Sequence, residues 1–506
     1  MSGWPAQPVI YEVNTVVWLG ELRRRQGRPI TLGDVPGEAW DELALPGVDA
    51  VWLMGVWERS PAGLGIARAD EGLVRSWHEA LPDVRPEDVV GSPYCVRRYV
   101  ADASLGGPAG LAAAREALAA RGVRLLLDYV PNHVAPDHPW VTEHPERFVR
   151  GGPGDLGQTP AAFIEAGGSV LALGRDPYFA PWPDVVQLNA FAPELRQATA
   201  DVLTDIGGQC DGVRCDMAML LMNDVFARTW GERAGPRPAA EFWPEVLDGV
   251  RGRRPDMLFV AEAYWDLEWA LQQQGFDHCY DKRLYDRLLN ESPGDVRAHL
   301  LADVGYQRRL LRFLENHDEP RAAATMPPDK ERAAAVTIAT LPGATLWHEG
   351  QFEGRRVRPP VFLARRPDEP VDAELRAFSH RLLDAVHASG VRDGEWRPLD
   401  CAGWPDNPTH ENLVAWCWRG ESRHLVVVNL SDRPAQARVR LPWDDLGGRR
   451  WRLQELLGDA VYEREGGELA GDGLFVALDG WRWHLVSVRE GVPAEPAAEL
   501  VGSRAR

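Results

Sequence analysis

Short apolar runs alternate, from the N-terminus to about Gly390, with stretches in which apolar positions recur at three- and four-residue spacing. The short runs read as buried strands at 9–19, 48–58, 123–133, 212–220, 257–265, 277–281, 310–318 and 344–351. Helical periodicity fills 108–120 and 193–206, each opened by Pro at a first-turn position, and the alanine-rich stretch 330–341. Eight strand units alternating with helices predict an α/β fold, a closed (β/α)8 TIM barrel with a parallel sheet inside and helices outside.

Two segments depart from this rhythm. Residues 134–189 carry the Gly-rich RGGPGDLG and little periodicity before WPDVVQLN leads into the next helix. An insertion of that length after strand 3 is expected to be a functional subdomain lying over the rim. From about residue 391 the runs NLVAWCWRG, RHLVVVNLSD, QARVRLP, GLFVALD and RWHLVSV alternate apolar and polar positions and are divided by Gly, Pro, Asp and Asn. They predict a C-terminal antiparallel β domain, a β-sandwich over 391–490. The small and polar residues 491–506 predict a disordered tail. The expected barrel thus comprises 1–133 and 190–390.

Composition changes this picture only by exclusion. The 506 residues are 45% hydrophobic and 26% charged, an ordinary soluble mixture in a chain longer than the ~250 residues of one such barrel. A net charge of -19 with no offsetting basic stripe argues against nucleic acid and anionic membranes as partners and favours a neutral ligand. No segment approaches the roughly 18 apolar residues needed to span a bilayer. The opening MSGWPAQPVIYEVNT lacks a basic region followed by an apolar one, so cytoplasmic residence is the expectation. The six cysteines are scattered without zinc-like pairing, and Cys215 falls inside a predicted strand; reduced, structural thiols are expected. Nothing in the sequence marks an oligomeric state.

Four acidic stretches carry the candidate chemistry: Asp128 to His133 (DYVPNH), Gly212 to Asp216 (GVRCD), Ala261 to Ala263 (AEA) and Glu315 to Asp318 (ENHD). Each ends an apolar run, so all four reach the same C-terminal rim, where barrel enzymes place their chemistry. Cleaving an acetal with retention needs one carboxylate to attack the anomeric carbon and one acid to protonate the leaving oxygen, about 5 to 5.5 Å apart. Asp216 suits the first role, because Arg214 lies two residues earlier on the same strand face and favours its ionised form. Glu262, between small residues in an apolar run, suits the second, since desolvation raises its pKa towards that of a working acid. Asp318 would contact sugar hydroxyls and stabilise the positive charge developing on the ring.

With the strand-opening VIYEVNTVVWL and the insertion's WPDVVQLN, these motifs resemble the α-amylase family, glycoside hydrolase family thirteen, over nearly the whole chain. The resemblance implies Asp216 as nucleophile, Glu262 as acid/base and Asp318 as the third carboxylate. It implies His133 and His317 as hydroxyl-binding histidines, Asp128 as the aspartate supporting the arginine, and Tyr94 or Tyr99 as the aromatic under the reacting sugar. Asn132 matches a position that binds calcium in many α-amylases, but calcium wants six or more oxygens and the insertion has no carboxylate cluster. The expectation is therefore a structural amide and no metal or cofactor. Of the 21 tryptophans, Trp416, Trp418, Trp451, Trp481 and Trp483 are read as core of the β domain, and Trp140, Trp182 and Trp265 as better placed for substrate.

The chain also departs from the family pattern. Endo-acting α-amylases commonly carry Lys-His shortly after the nucleophile, whereas Asp216 is followed by Met217-Ala218-Met219-Leu220-Leu221. The leaving-group side is then apolar, which favours a short α-glucoside over internal cleavage of starch. Arg355, Arg356 and Arg358 could meet an anionic group on the acceptor or simply form a solvated loop. The leading expectation is a retaining α-glycosidase acting on a small-molecule or oligosaccharide α-glucoside. A transglycosidase or phosphorylase with the same triad is the alternative, and a non-catalytic binding relative the remote one.

Overall fold

A computed structural model describes residues 3–491; the tail expectation for 491–506 thus falls almost wholly outside the described residues. Eight parallel strands close into a barrel: β1 (Val9–Asn14), β2 (Ala50–Met54), β3 (Arg124–Tyr129), β4 (Gly212–Cys215), β5 (Leu258–Ala261), β6 (His278–Tyr280), β7 (Leu310–Arg312) and β8 (Ala344–His348). Closure comes from β1 pairing with β8, Val9 opposite Thr345 and Glu12 opposite His348. The strands are buried on both faces, which is why they read as continuous apolar runs. Ile10, Trp52, Leu126, Leu258, Val260, Tyr280, Leu311 and Leu346 pack together as one core cluster. Two-residue periodicity then puts Glu12, Asp128, Arg214, Asp216 and Glu262 on the same face as that cluster, towards the C-terminal ends.

Each expected strand is present, but several stop early. β4 ends at Cys215; Met217 turns into the left-handed region (φ 42°) and Ala218–Leu221 form a buried 3-10 turn. The apolar run MAML is therefore a buried turn, and periodicity alone does not separate the two. β1 gives way to helix Thr15–Gln26, whose first turn is capped by Asn14 accepting the Val17 N–H. β7 ends at Arg312, so ENHD lies in the loop that follows. The expected helices are found at Gly107–Ala119, Pro193–Ile206 and Pro328–Thr340.

Two excursions stand on the rim. After β3, an antiparallel sheet forms from His133–Val134, Trp182–Gln187, Ser169–Gly174 and Phe163–Ala166. After β2, a path that the sequence pattern left unassigned contains helices Pro61–Ala69 and Glu71–Ala80 and returns through Val96–Ala101, which pairs with Trp57–Arg59. Gly55 opens this path at φ 79°, and a side chain there would meet Pro93 at 2.7 Å.

The chain divides into two compact units, one running to Leu289 with Asp303–Met326 and Pro342–His380, the other comprising Asn290–Ala302, Pro327–Leu341 and the chain from Arg381. The second unit holds a six-stranded and a three-stranded antiparallel sheet with a common core that includes Leu413, Leu425, Val427, Val439, Trp451 and Val486. Helices expected in the barrel range 190–390 group with these sheets for a local reason: Trp416 and Trp418 donate their indole N–H groups to Thr340 O, and Arg297 donates to Leu413 O. Trp481 and Trp483 are half-buried rather than core, and Lys330 lies over the Trp481 ring. All six cysteines are free. No helix among the described residues is long and apolar enough to cross a membrane.

Candidate active site

Arg214 is the centre around which the predicted carboxylates gather. It is fully buried inside the barrel, stacked against Trp52, Tyr94 and Tyr280, and its Nε donates to the Tyr280 hydroxyl at 3.2 Å. Its Nη1 donates to Asp216 Oδ1 at 2.7 Å, and its Nη2 lies 2.8 Å from Glu262 Oε2. One planar guanidinium thus holds the carboxyl groups of Asp216 and Glu262 from neighbouring strands. Asp128 supports it from 3.8 Å and is itself fixed by the Gly55 N–H at 3.0 Å. Burial pushes the Asp128 carboxyl up to about 6, against the pull of Arg214.

Glu262 extends just past β5. Its Oε2 accepts the Met217 N–H at 2.6 Å and its Oε1 the Tyr264 hydroxyl at 3.0 Å. The left-handed turn at Met217 therefore has a function: it aims a main-chain N–H at the second carboxyl group while carrying Asp216 inward. Burial raises the Glu262 carboxyl to about 7 despite Arg214, with Asp216 and Asp318 adding to the rise. Its proton is thus available near neutrality.

Asp318 faces the opening, with its side chain 44% exposed, and lies 3.0 Å from His317 Nε2. Burial opposes its charge, but His317 holds its carboxyl well below the usual range. His317 is gripped from the other side by Glu12 through Nδ1, and the Tyr94 hydroxyl meets its Nε2 at 2.6 Å with the two rings stacked at 5.3 Å. Burial alone would lower its pKa; Asp318 and Glu12 raise it well above the usual value, so it is a cation between two carboxylates. Glu12 and the Arg214 supports Trp52 and Tyr280 escaped the sequence reading. A Glu at an inward position of the run VIYEVN was the signal for the first.

His133 is buried against Trp182, and burial lowers its pKa to about 4, so it is a neutral donor or acceptor. Asp216, Glu262, Asp318, Tyr94 and His133 line one cavity of about 580 Å3, with Asp128, Arg214 and His317 behind its wall. That volume lies in the usual range for small-ligand sites. Trp182 lines it too. Trp140 instead pairs with His138 and Arg147, and Trp265 with Tyr178, so neither tryptophan contributes to the lining. Tyr99 is not among the residues lining this cavity, and its hydroxyl is bound to both main-chain groups of Val130.

Asn132 is held by Gln187. Gln187 Nε2 donates to its Oδ1 at 2.8 Å while its own Nδ2 donates to Gln187 Oε1 at 3.2 Å, a closed amide pair. Among the described residues no group of three or more His, Cys, Asp or Glu is arranged to hold a metal. Arg355, Arg356 and Arg358 do not line the cavity; they donate to the main-chain oxygens of Glu369, Ala323 and Asp318 respectively.

No protein-family model matches the chain. It is 26% identical over 455 residues to the α-amylase MalA of Haloarcula japonica, an alignment covering 85% of this chain and 56% of that one. The chain thus resembles the α-amylase family. It is also 25% identical over 294 residues to the α-1,4-glucan:maltose-1-phosphate maltosyltransferase of Burkholderia pseudomallei, covering 53% of this chain and 21% of that one. The chain thus spans little more than half the length of the first of these curated relatives and about a fifth of the second. The crystal structure of the noncanonic maltogenic α-amylase AmyB from Thermotoga neapolitana shares the fold, with a TM-score of 0.68 at 19% identity over 95% of this chain and 98% of that one.

Proposed function

We propose that the protein is a retaining α-glycosidase that hydrolyses short α-glucosides through a covalent glycosyl-enzyme on Asp216. The observation that carries this reading is the single buried guanidinium of Arg214 joined to both Asp216 and Glu262 at the cavity floor, with Glu262 raised to about 7. In the first step Asp216 Oδ attacks the anomeric carbon while the Glu262 proton passes to the departing glycosidic oxygen. In the second, Glu262, now ionised, takes a proton from water, the water oxygen attacks the anomeric carbon, and the ester to Asp216 breaks. Asp318, kept ionised by His317, supports the positive charge on the ring in both steps.

The pH dependence follows from these protonation states. Glu262 must carry its proton in the free enzyme, so kcat/KM is expected to fall as pH rises through about 7, approaching tenfold per pH unit beyond it. A pH–rate profile on an unactivated α-glucoside checks this, and a flat profile between pH 6 and about 9 would contradict it. The substrate itself is to be found by incubating the protein with α-linked disaccharides, glucosides and sugar phosphates and following the first product by NMR. The α-anomer is expected.

Transfer to another acceptor is the second reading. Met217, Val185, Phe362 and Leu73 give the cavity apolar wall beside the carboxylates, a surface that suits an acceptor sugar face as well as water. The likeness to a maltosyltransferase points the same way. Six free thiols suit a reducing compartment, which supports cytoplasmic residence.

A further inference from the structure

The cavity holds a carboxyl group that the proposed chemistry does not use. Asp184 lies on Trp182–Gln187, next to the strand that carries His133, and faces the same cavity as the three rim carboxylates. Only 7% of it is exposed. Among the described residues no cation pairs with it, and burial raises it to about 6 although its own main-chain N–H favours the charged form. Beside it stands Asp70, which lines the same cavity and whose Oδ1 caps helix Glu71–Ala80 by accepting the Leu73 N–H at 2.9 Å. A buried carboxylate with so few donors and no cation beside it is costly unless a ligand supplies more donors.

The charges around the cavity say which ligand that is. Five of its lining residues are Asp or Glu (Asp70, Asp184, Asp216, Glu262, Asp318), and none is Arg or Lys. The nearest cations are already committed: Arg214 to Asp216 and Glu262, His317 to Glu12 and Asp318, and Arg358 to the Asp318 carbonyl. An anionic substituent would enter against the negative charge of Asp70 and Asp184, which no cation in the lining offsets, whereas the hydroxyls of a sugar supply further donors to Asp184.

Resting on the glycosidase reading above, we propose that Asp184 is a substrate-binding carboxylate that, backed by Asp70, accepts sugar hydroxyls and restricts the site to uncharged α-glycosides, excluding those bearing a phosphate or carboxylate. This refines the substrate class: the donor and the part of the acceptor inside the cavity carry no negative group.

The test compares wild type with Asp184→Asn and Asp70→Asn on maltose, isomaltose, trehalose and sucrose, and on maltose 6′-phosphate and trehalose 6-phosphate. Wild type is expected to turn over at least one neutral disaccharide with kcat/KM at least about 100-fold above the phosphates. Asp184→Asn, nearly isosteric, is expected to raise KM for the neutral sugar about tenfold with kcat little changed, and to narrow the discrimination about tenfold. Its thermal midpoint should hold, because it removes a buried unpaired charge. Asp70→Asn keeps the cap and is expected to narrow the discrimination by less. Unchanged KM and discrimination in Asp184→Asn, or wild-type preference for a phosphate, would overturn the inference while leaving the glycosidase reading standing. Wild type that turned over none of these sugars would instead bring down the glycosidase reading, and this inference with it.

Discussion

Replacing Asp216 with Asn is expected to lower kcat/KM by about four orders of magnitude or more while the protein stays folded. The amide keeps an oxygen where Arg214 Nη1 now donates at 2.7 Å, so the local hydrogen bond survives. What disappears is the proposed nucleophile, since a neutral amide oxygen does not form the ester on which the proposed retention depends. Four orders correspond to about 5.5 kcal/mol of lost transition-state stabilisation. Steady-state kinetics with a thermal melt alongside check both halves. Turnover near the wild-type level, with deamidation excluded by intact mass, would remove Asp216 from the role.

Glu262→Gln is expected to separate substrates by their leaving groups. On a natural α-glucoside the variant should lose about 100- to 10,000-fold, the usual reach of a positioned acid. On an aryl glucoside with an acidic phenol the first step needs little protonation, so the glycosyl-enzyme should form almost as fast as in wild type. The second step still lacks its base, and a burst of phenol followed by slow steady turnover is the expected trace. The Met217 N–H and the Tyr264 hydroxyl, now bound to the two Glu262 oxygens, must share a group with one acceptor, which places a modest structural cost on the variant. The fall in kcat/KM through pH 7 should vanish in it, because the group raised to about 7 is gone. Equal losses on activated and natural substrates would count against the acid role.

Much of this was legible in the sequence because barrel strands are buried on both faces and so print as unbroken apolar runs, with chemistry at their ends. Asp128, Arg214, Asp216 and Glu262 fall on one face by strand periodicity alone, and the structure brings them to one guanidinium. Strand ends were less legible. The apolar run after Asp216 looks the same whether extended or folded into the 3-10 turn Ala218–Leu221, and only the left-handed Met217 decides. Long-range partners were hidden for another reason. Glu12 and His317 meet across 305 positions of chain, and no local pattern encodes a contact that barrel closure creates. The path after β2, which delivers Asp70 and Tyr94 to the cavity, is built of short helices whose apolar residues pack locally around Trp77 and Leu81. Its place in the site is set by tertiary contact rather than by periodicity.

The ester between sugar and Asp216 is the claim on which the others depend, and it can be caught. The protein is incubated with a fluorinated α-glucosyl fluoride, whose fluorine substituent slows the second step more than the first. It is then digested, and the peptides are weighed and fragmented. A single adduct of one sugar mass on the peptide containing Arg214-Cys215-Asp216, assigned to the Asp216 side chain and absent from Asp216→Asn, is the result predicted. Turnover of the reagent with a β-configured first product and no adduct, or an adduct seated on Glu262 or Asp318, would contradict it.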